Sequence, residues 1–288
     1  MGLIQSLKKQ QISFIVYPEE IEDIALIQDF KRLEFKTISV IDTRSVLYIA
    51  TGIAAQNQEL VVCIVNSSNA SRSVFSGMTE AFYRKLPIIL ITIGTDLDYS
   101  IELGDVVQNH FVVSDTDDIS ALLNKGYPLH LELQTNCVEL WKTECNELQR
   151  ILNQYLDKDK YLLIGVGIEV LQNNDYKCKT VVNRMPNCYE GALAYVLGAS
   201  LAKNRSRYIA LVSEMEFLHD INTLGNIHMN ERILFIVVTG KVNETIEEYS
   251  RALGFETLFF EQGNNNIQDL FNAVSNNKKT VVQYIKEI

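Results

Sequence analysis

RYIALVSEMEFLHDINTLGNIHMNERILFIVVTG, residues 207–240, is the stretch whose reading decides the fold. An unbroken apolar run from Tyr208 to Val212 ends on the polar turn Ser213-Glu214-Met215, and a helix-like segment follows. A second apolar run, Ile233 to Val238, then closes on Thr239 and Gly240. Strands that read as continuous apolar runs, rather than as alternating ones, are buried on both faces, which is the condition of a parallel sheet. A strand, a helix and a second strand in succession are the crossover unit that such a sheet requires.

The same punctuation extends along the chain. Further candidate strands are Ile12–Tyr17, Lys36–Ile41, Leu60–Val65, Pro87–Ile93, His110–Val113 and Pro128–Leu133, then Tyr161–Gly165, Glu256–Phe260 and Thr280–Tyr284. Helix-like segments separate most of them, so the expected class is doubly wound α/β. CVELWKTECNELQRILNQYLDKDK carries charge-rich helical periodicity between the two sets. It reads as a connecting helix over 141–158, with one domain over 1–140 and another over 159–288.

The halves echo each other. YIATGIAAQNQELVVCIVNSS is a small-residue helix leading into a strand, with PIILITIG after it; AYVLGASLAKNRSRYIALVSEM repeats the arrangement, with ILFIVVTG after it. Gly52 and Gly94 are 42 residues apart, as are Gly198 and Gly240. Matching elements at matching spacing predict two related domains, not one divided sheet.

Bulk properties narrow the function classes. The 288 residues suffice for two domains with full cores. With 26 basic against 36 acidic residues the formal net charge is −10, whereas a sequence-independent nucleic-acid binder needs a basic face. No apolar run approaches the roughly 18 residues of a membrane span, and MGLIQSLKK lacks the apolar core of a secretory signal. Gly2 and Ser6 match a myristoylation pattern that no other feature supports. Five scattered cysteines without C-x-x-C spacing fit reduced thiols, and together these features predict a cytoplasmic protein. The histidines His110, His130, His219 and His228 show no ligand spacing and are expected at the surface or at helix ends.

The halves resemble the pyrimidine-binding and diphosphate-binding domains of thiamine-diphosphate (ThDP) enzymes, above all the acetolactate synthase and 2-oxoacid decarboxylase group. FSGMTEAFYRKLPIILITIG, residues 75–94, looks like that family's G-x-x-x-A-y-x-x-x-x-P-h-h-h-h-x-G stretch, matched at Gly77, Ala81, Tyr83, Pro87 and Gly94 give or take a residue. YEGALAYVLGASLAKNRSRYIALVSEMEFLHDINTLGN looks like its diphosphate-domain helix, strand and metal loop. EEYSRALGFETLFFEQGNNNIQDLFNAV resembles its closing strand–helix pair. The length suits the compact arrangement of the phosphonopyruvate and sulfopyruvate decarboxylases. The resemblance implies two domains of ThDP-binding fold, ThDP and Mg²⁺ as cofactors, and a homodimer or larger assembly whose sites lie between subunits.

Three family features carry the chemistry, and this sequence departs from each. The Gly-Asp-Gly metal loop reads Ser213-Glu214-Met215, without the glycines that let backbone approach phosphate. The family's Asn ligand falls near Thr239, Gly240 or Lys241, leaving Glu214 and Thr239 as candidate metal ligands. Lys241 could place an ammonium where the metal sits, paired with Glu214 or a diphosphate; it could equally be a solvated lysine at a strand end. The catalytic Glu position, which must exchange a proton with the cofactor, falls on Thr43 with Asp42 beside it. Asp42 could relay a proton if the junction shifts by one residue, while either residue also reads as a helix N-cap. Gly-Pro-Gly becomes Ser68-Asn69-Ala70, and the apolar support of the bent cofactor becomes Tyr189 or Glu190. The joint departures point to a fold that has lost or rebuilt its cofactor site. Such a pseudoenzyme would act as a non-catalytic or regulatory partner, or bind another anionic ligand. The alternatives are an active ThDP-dependent decarboxylase or carboligase of a 2-oxoacid, or a chain completing its site with a hetero-partner subunit.

Overall fold

The computed structural model describes residues 2–10, 12–66, 73–94, 103–135, 142–171, 176–182, 189, 191–263 and 267–286. The chain forms two compact units, Met1–Glu139 and Leu140–Ile288. In the first, α1 (Leu3–Lys8), β1 (Ile12–Pro18), α2 (Ala25–Arg32), β2 (Thr37–Val40) and α3 (Thr43–Asn57) lead into β3 (Leu60–Asn66). Then come α4 (Phe75–Tyr83), β4 (Ile88–Ile93), β5 (Asn109–Val113) and β6 (Leu129–Leu133). All pairings are parallel, in the order β2-β1-β3-β4-β6-β5.

The second unit begins with α5 (Asn146–Tyr155), β7 (Lys160–Ile164), β8 (Lys179–Val182), α6 (Ala192–Ala202) and β9 (Arg207–Ser213). It continues through α7 (Glu214–His219), β10 (Ile233–Thr239), α8 (Glu244–Ala252), β11 (Glu256–Glu261), α9 (Ile267–Ser275) and β12 (Thr280–Ile285). Its sheet, again all parallel, runs β11-β12-β10-β9-β7-β8. Read from the opposite edge, this is the order of the first sheet, strand for strand. The repeat seen as matched Gly spacings is therefore a repeat of topology, with α3–β3 of the first unit answering α6–β9 of the second.

Each sheet is covered on both faces, which is why its strands read as unbroken apolar runs. β3, β4, β9 and β10 are buried at every position. In the first unit α1 and α2 cover one face through Leu3, Leu7, Ile27 and Phe30. Val46, Leu47, Met78 and Ala81 of α3 and α4 cover the other. In the second, Leu148, Leu152, Leu270 and Val274 of α5 and α9 cover one face, and Leu193, Val196, Phe217 and Ile246 of α6, α7 and α8 the other. Each such side chain contributes roughly 1.5–3 kcal/mol on burial. Leu148 and Leu152 make α5, in the stretch read as a connecting helix, part of the second unit's core.

Two features depart from the sequence reading. β8 was not expected: Lys179–Val182 is a four-residue edge strand, half-buried and exposed, and so carries no apolar run. His130 lies neither at the surface nor at a helix end. It is fully buried in mid-β6, its ring stacked on that of His110 at 4.4 Å and its Nε2 2.9 Å from Thr92 Oγ1. Burial, with the neighbouring His110, lowers its pKa from the ordinary 6.5 to about 3, so it stays neutral. The described cysteines, Cys63, Cys145 and Cys178, are free thiols. No described helix is long and apolar enough to cross a membrane.

Candidate functional site

In an open parallel sheet, ligands bind beyond the carboxyl ends of the strands where the strand order reverses. In the second sheet the chain runs outward from β7 to β8, then returns to the other side of β7 as β9. At this switch lie the turn after β7, Gly165-Val166-Gly167, and the residues where β9 passes into α7, Ser213-Glu214-Met215. Both turns are described, and the first is occupied by the Glu216 side chain.

Ser213 ends β9 in extended backbone and caps α7, its Oγ accepting the Glu216 amide at 3.3 Å. That turn sends Glu214 and Glu216 in different directions. Glu214 is half-buried, and each of its carboxylate oxygens has a neighbour within hydrogen-bond distance. Thr239 Oγ1, at the end of β10, lies 2.7 Å from Oε2, and Asn243 Nδ2 donates to Oε1 at 2.6 Å. Asn243 is itself fixed three further ways. Its Oδ1 caps α8 by accepting the Ile246 amide, and its backbone N–H and C=O bond the buried Gln283 side chain. The Thr239 hydroxyl also lies 2.6 Å from the Lys241 carbonyl, while the Lys241 ammonium is exposed and makes no ion pair with Glu214.

Glu216 turns inward and has no exposed surface. Its Oε1 accepts the Val166 amide at 3.0 Å and its Oε2 the Gly167 amide at 3.4 Å. A methyl at Gly165 would lie 2.0 Å from Oε2, and one at Gly167 2.3 Å from Ser213 Oγ, so the turn needs glycine at both positions to admit these groups. Burial pushes the Glu216 carboxyl up to about 7, against the opposing pull of the amides. Nearby, Tyr189 is buried against Val166 with Met215 alongside, and its ring lies 5.9 Å from that of His219. A further carboxylate, Asp220 Oδ2, accepts the Ala194 amide in the first turn of α6 at 2.9 Å. Among the described residues no group of three or more His, Cys, Asp or Glu could hold a metal ion.

Of the candidate residues of the first unit, Asp42 and Thr43 are described. Asp42 caps α3, with its Oδ1 accepting the Arg44 amide at 2.9 Å, and its carboxylate pairs with the Arg44 guanidinium at 2.8 Å. Thr43 is buried, and its hydroxyl has no hydrogen-bond partner among the described residues. Ser68, Asn69, Ala70 and Glu190 lie outside the described residues. Sequence reasoning missed Asn243, Glu216 and Asp220. Asn243 carried a usable signal, an Asn immediately before the amphipathic run of α8; the two carboxylates carried none.

Comparison with known proteins agrees with this fold. Residues 2–117 match the family described as thiamine pyrophosphate enzyme, N-terminal TPP binding domain. The likeness to thiamine-diphosphate-dependent enzymes therefore lies in the first unit. The chain is 31% identical over 121 residues, 34% of its length, to the 2-succinyl-5-enolpyruvyl-6-hydroxy-3-cyclohexene-1-carboxylate synthase of Flavobacterium johnsoniae. That match spans only 21% of the relative's own length. A solved structure from Mycobacterium smegmatis, provisionally described as a thiamin diphosphate-dependent enzyme, aligns over 98% of both chains. Its identity is 10% and its TM-score 0.40, too low to bear on fold or activity.

Proposed function

We propose that this ThDP-enzyme-fold protein has a rebuilt cofactor site and acts as a non-catalytic or regulatory partner, assembled with copies of itself or with a different subunit. One observation carries the reading: the Glu214 carboxylate, at the place of the superfamily's metal loop, accepts the Asn243 side-chain amide and lies 2.7 Å from the Thr239 hydroxyl. A carboxylate that binds Mg²⁺ needs a lone pair facing the ion and room for octahedral oxygen ligands. Here the neighbours of Glu214 are Ser213 and Met215 rather than glycines, and Asn243 turns an amide N–H toward the carboxylate. An amide N–H in place of an oxygen ligand, and the lack of glycine on either side of Glu214, weigh against a Mg²⁺–diphosphate clamp.

A second reading has one observation in its favour. Glu214, Thr239 and Asn243 converge three oxygen-bearing side chains, the hard-oxygen chemistry that Mg²⁺ takes, if the Asn243 amide turns over. The chain would then be an active ThDP-dependent decarboxylase or carboligase. Thermal melting separates the two. A ligand at about 100 times its Kd stabilises a protein by roughly 2.7 kcal/mol, worth about 5 °C or more for a unit of this size. The rebuilt-site reading expects no ThDP-dependent shift with Mg²⁺ or with EDTA. A shift that needs Mg²⁺ and disappears in Glu214→Ala would establish the enzyme reading instead.

A further inference from the structure

A fully buried carboxylate ordinarily sits beside a cation, because an uncompensated charge in a low-dielectric interior is strongly disfavoured. Glu216 has no ion-pair partner among the described residues. It is held by the successive amides of Val166 and Gly167, in a turn whose glycines clear the space that its oxygens and Ser213 Oγ occupy. Successive backbone N–H groups converging on one oxyanion, with glycine allowing close approach, are how proteins hold bound carboxylates and phosphates. The turn lies at the carboxyl end of β7 beside the end of β9, where the strand order reverses. What is unusual is the occupant, which comes from the chain itself, about fifty residues further along.

We propose that the Gly165–Gly167 turn is an oxyanion cradle that this chain keeps filled with its own Glu216 side chain, so that a free carboxylate or phosphate enters only when Glu216 leaves. This deepens the rebuilt-site reading and rests on it: α7 carries a tethered anion into the turn at the switch point, where open parallel sheets bind ligands. Glu216 therefore excludes external oxyanions from the turn while holding the turn in shape.

Glu216→Ala vacates the cradle and leaves the Val166 and Gly167 amides without an acceptor. Its melting temperature should fall below that of the wild type and recover with sodium acetate or inorganic phosphate. Recovery should saturate at about 5 °C or more and exceed that in sodium chloride of equal ionic strength. Wild type and Glu216→Gln, whose cradles stay filled, should show no such excess. Recovery by acetate alone assigns the cradle to planar carboxylates, and recovery by phosphate admits tetrahedral oxyanions; either supports the proposal. Adding Gly165→Ala to Glu216→Ala places a methyl in the vacated space and should abolish the recovery without further loss of stability. Should Glu216→Ala not fold in plain buffer, its folding in sodium acetate or phosphate but not in sodium chloride of equal ionic strength serves as the readout, and no folding in any of them overturns the cradle. No anion-specific recovery in the opened variant, or recovery that persists with Gly165→Ala, overturns the cradle. The readout uses no ThDP, so its failure is separable from a failure of the rebuilt-site reading.

Discussion

Asn243 closes the Glu214 turn, and truncating it separates two contributions. Asn243→Ala removes the α8 cap, about 1 kcal/mol. It also removes the hydrogen bond from Nδ2 to the Glu214 carboxylate, 2.6 Å long. Bonds to a charged group are worth about 1.5–3 kcal/mol, and the half-buried setting favours the lower end. The expected total is about 2.5 kcal/mol. Asn243→Ser keeps a capping oxygen but does not reach Glu214, so it should lose only about 1.5 kcal/mol. The bonds to Gln283 use the Asn243 backbone and survive both changes. Urea unfolding followed by far-UV circular dichroism measures each variant, and a double-mutant cycle with Glu214→Ala isolates the pair. Coupling of about 1 kcal/mol or more is expected. If Asn243→Ala and Asn243→Ser lose the same stability, and the cycle gives coupling near zero, the closed carboxylate is wrong.

Three further outcomes follow from the packing. Gly77→Ala would normally gain helix propensity, but a methyl there lies 2.3 Å from Leu47 Cβ, so α4 must move off α3. A loss of about 1–3 kcal/mol is expected in chemical unfolding, opposite in sign to the propensity effect. Arg207 is buried at the start of β9 and donates to Glu231 O, Ala273 O and Thr280 Oγ1. Arg207→Met leaves these acceptors without that donor and should destabilise by about 3 kcal/mol or more in urea. His130, with its pKa lowered to about 3, contributes stability that is full above the unfolded value of 6.5 and is lost as pH falls toward 3. Between about pH 7 and pH 5 the wild type should lose about 2 kcal/mol that His130→Gln, measured over the same range, does not lose.

What the sequence revealed and what it hid have physical reasons. β3, β4, β9 and β10 were legible because strands buried on both faces leave continuous apolar runs, and the twin Gly spacings were legible because the same topology is built twice. β8 stayed hidden because an edge strand needs few apolar residues, and Lys179–Val182 has a half-buried setting that alternates with nothing. His130 was misplaced because nothing local distinguishes a histidine stacked on a neighbouring strand from one at the surface; His110 meets it only through β5–β6 pairing. The candidate site was legible as a set of departures from a motif, at Ser213, Glu214 and Met215. Its closure was not, because it depends on contacts from Glu214 to Thr239 and Asn243 and from Glu216 to Val166 and Gly167, which only the folded sheet brings together.

The central proposal is a rebuilt cofactor site, in which Glu214 and Glu216 are held by groups of the chain itself. The most direct test is isothermal titration of the purified protein with ThDP, in Mg²⁺ and again in EDTA. The account predicts no heat of binding in either buffer from a folded protein. Tight binding that requires Mg²⁺ would contradict it, and would mean that Glu214 opens to the metal.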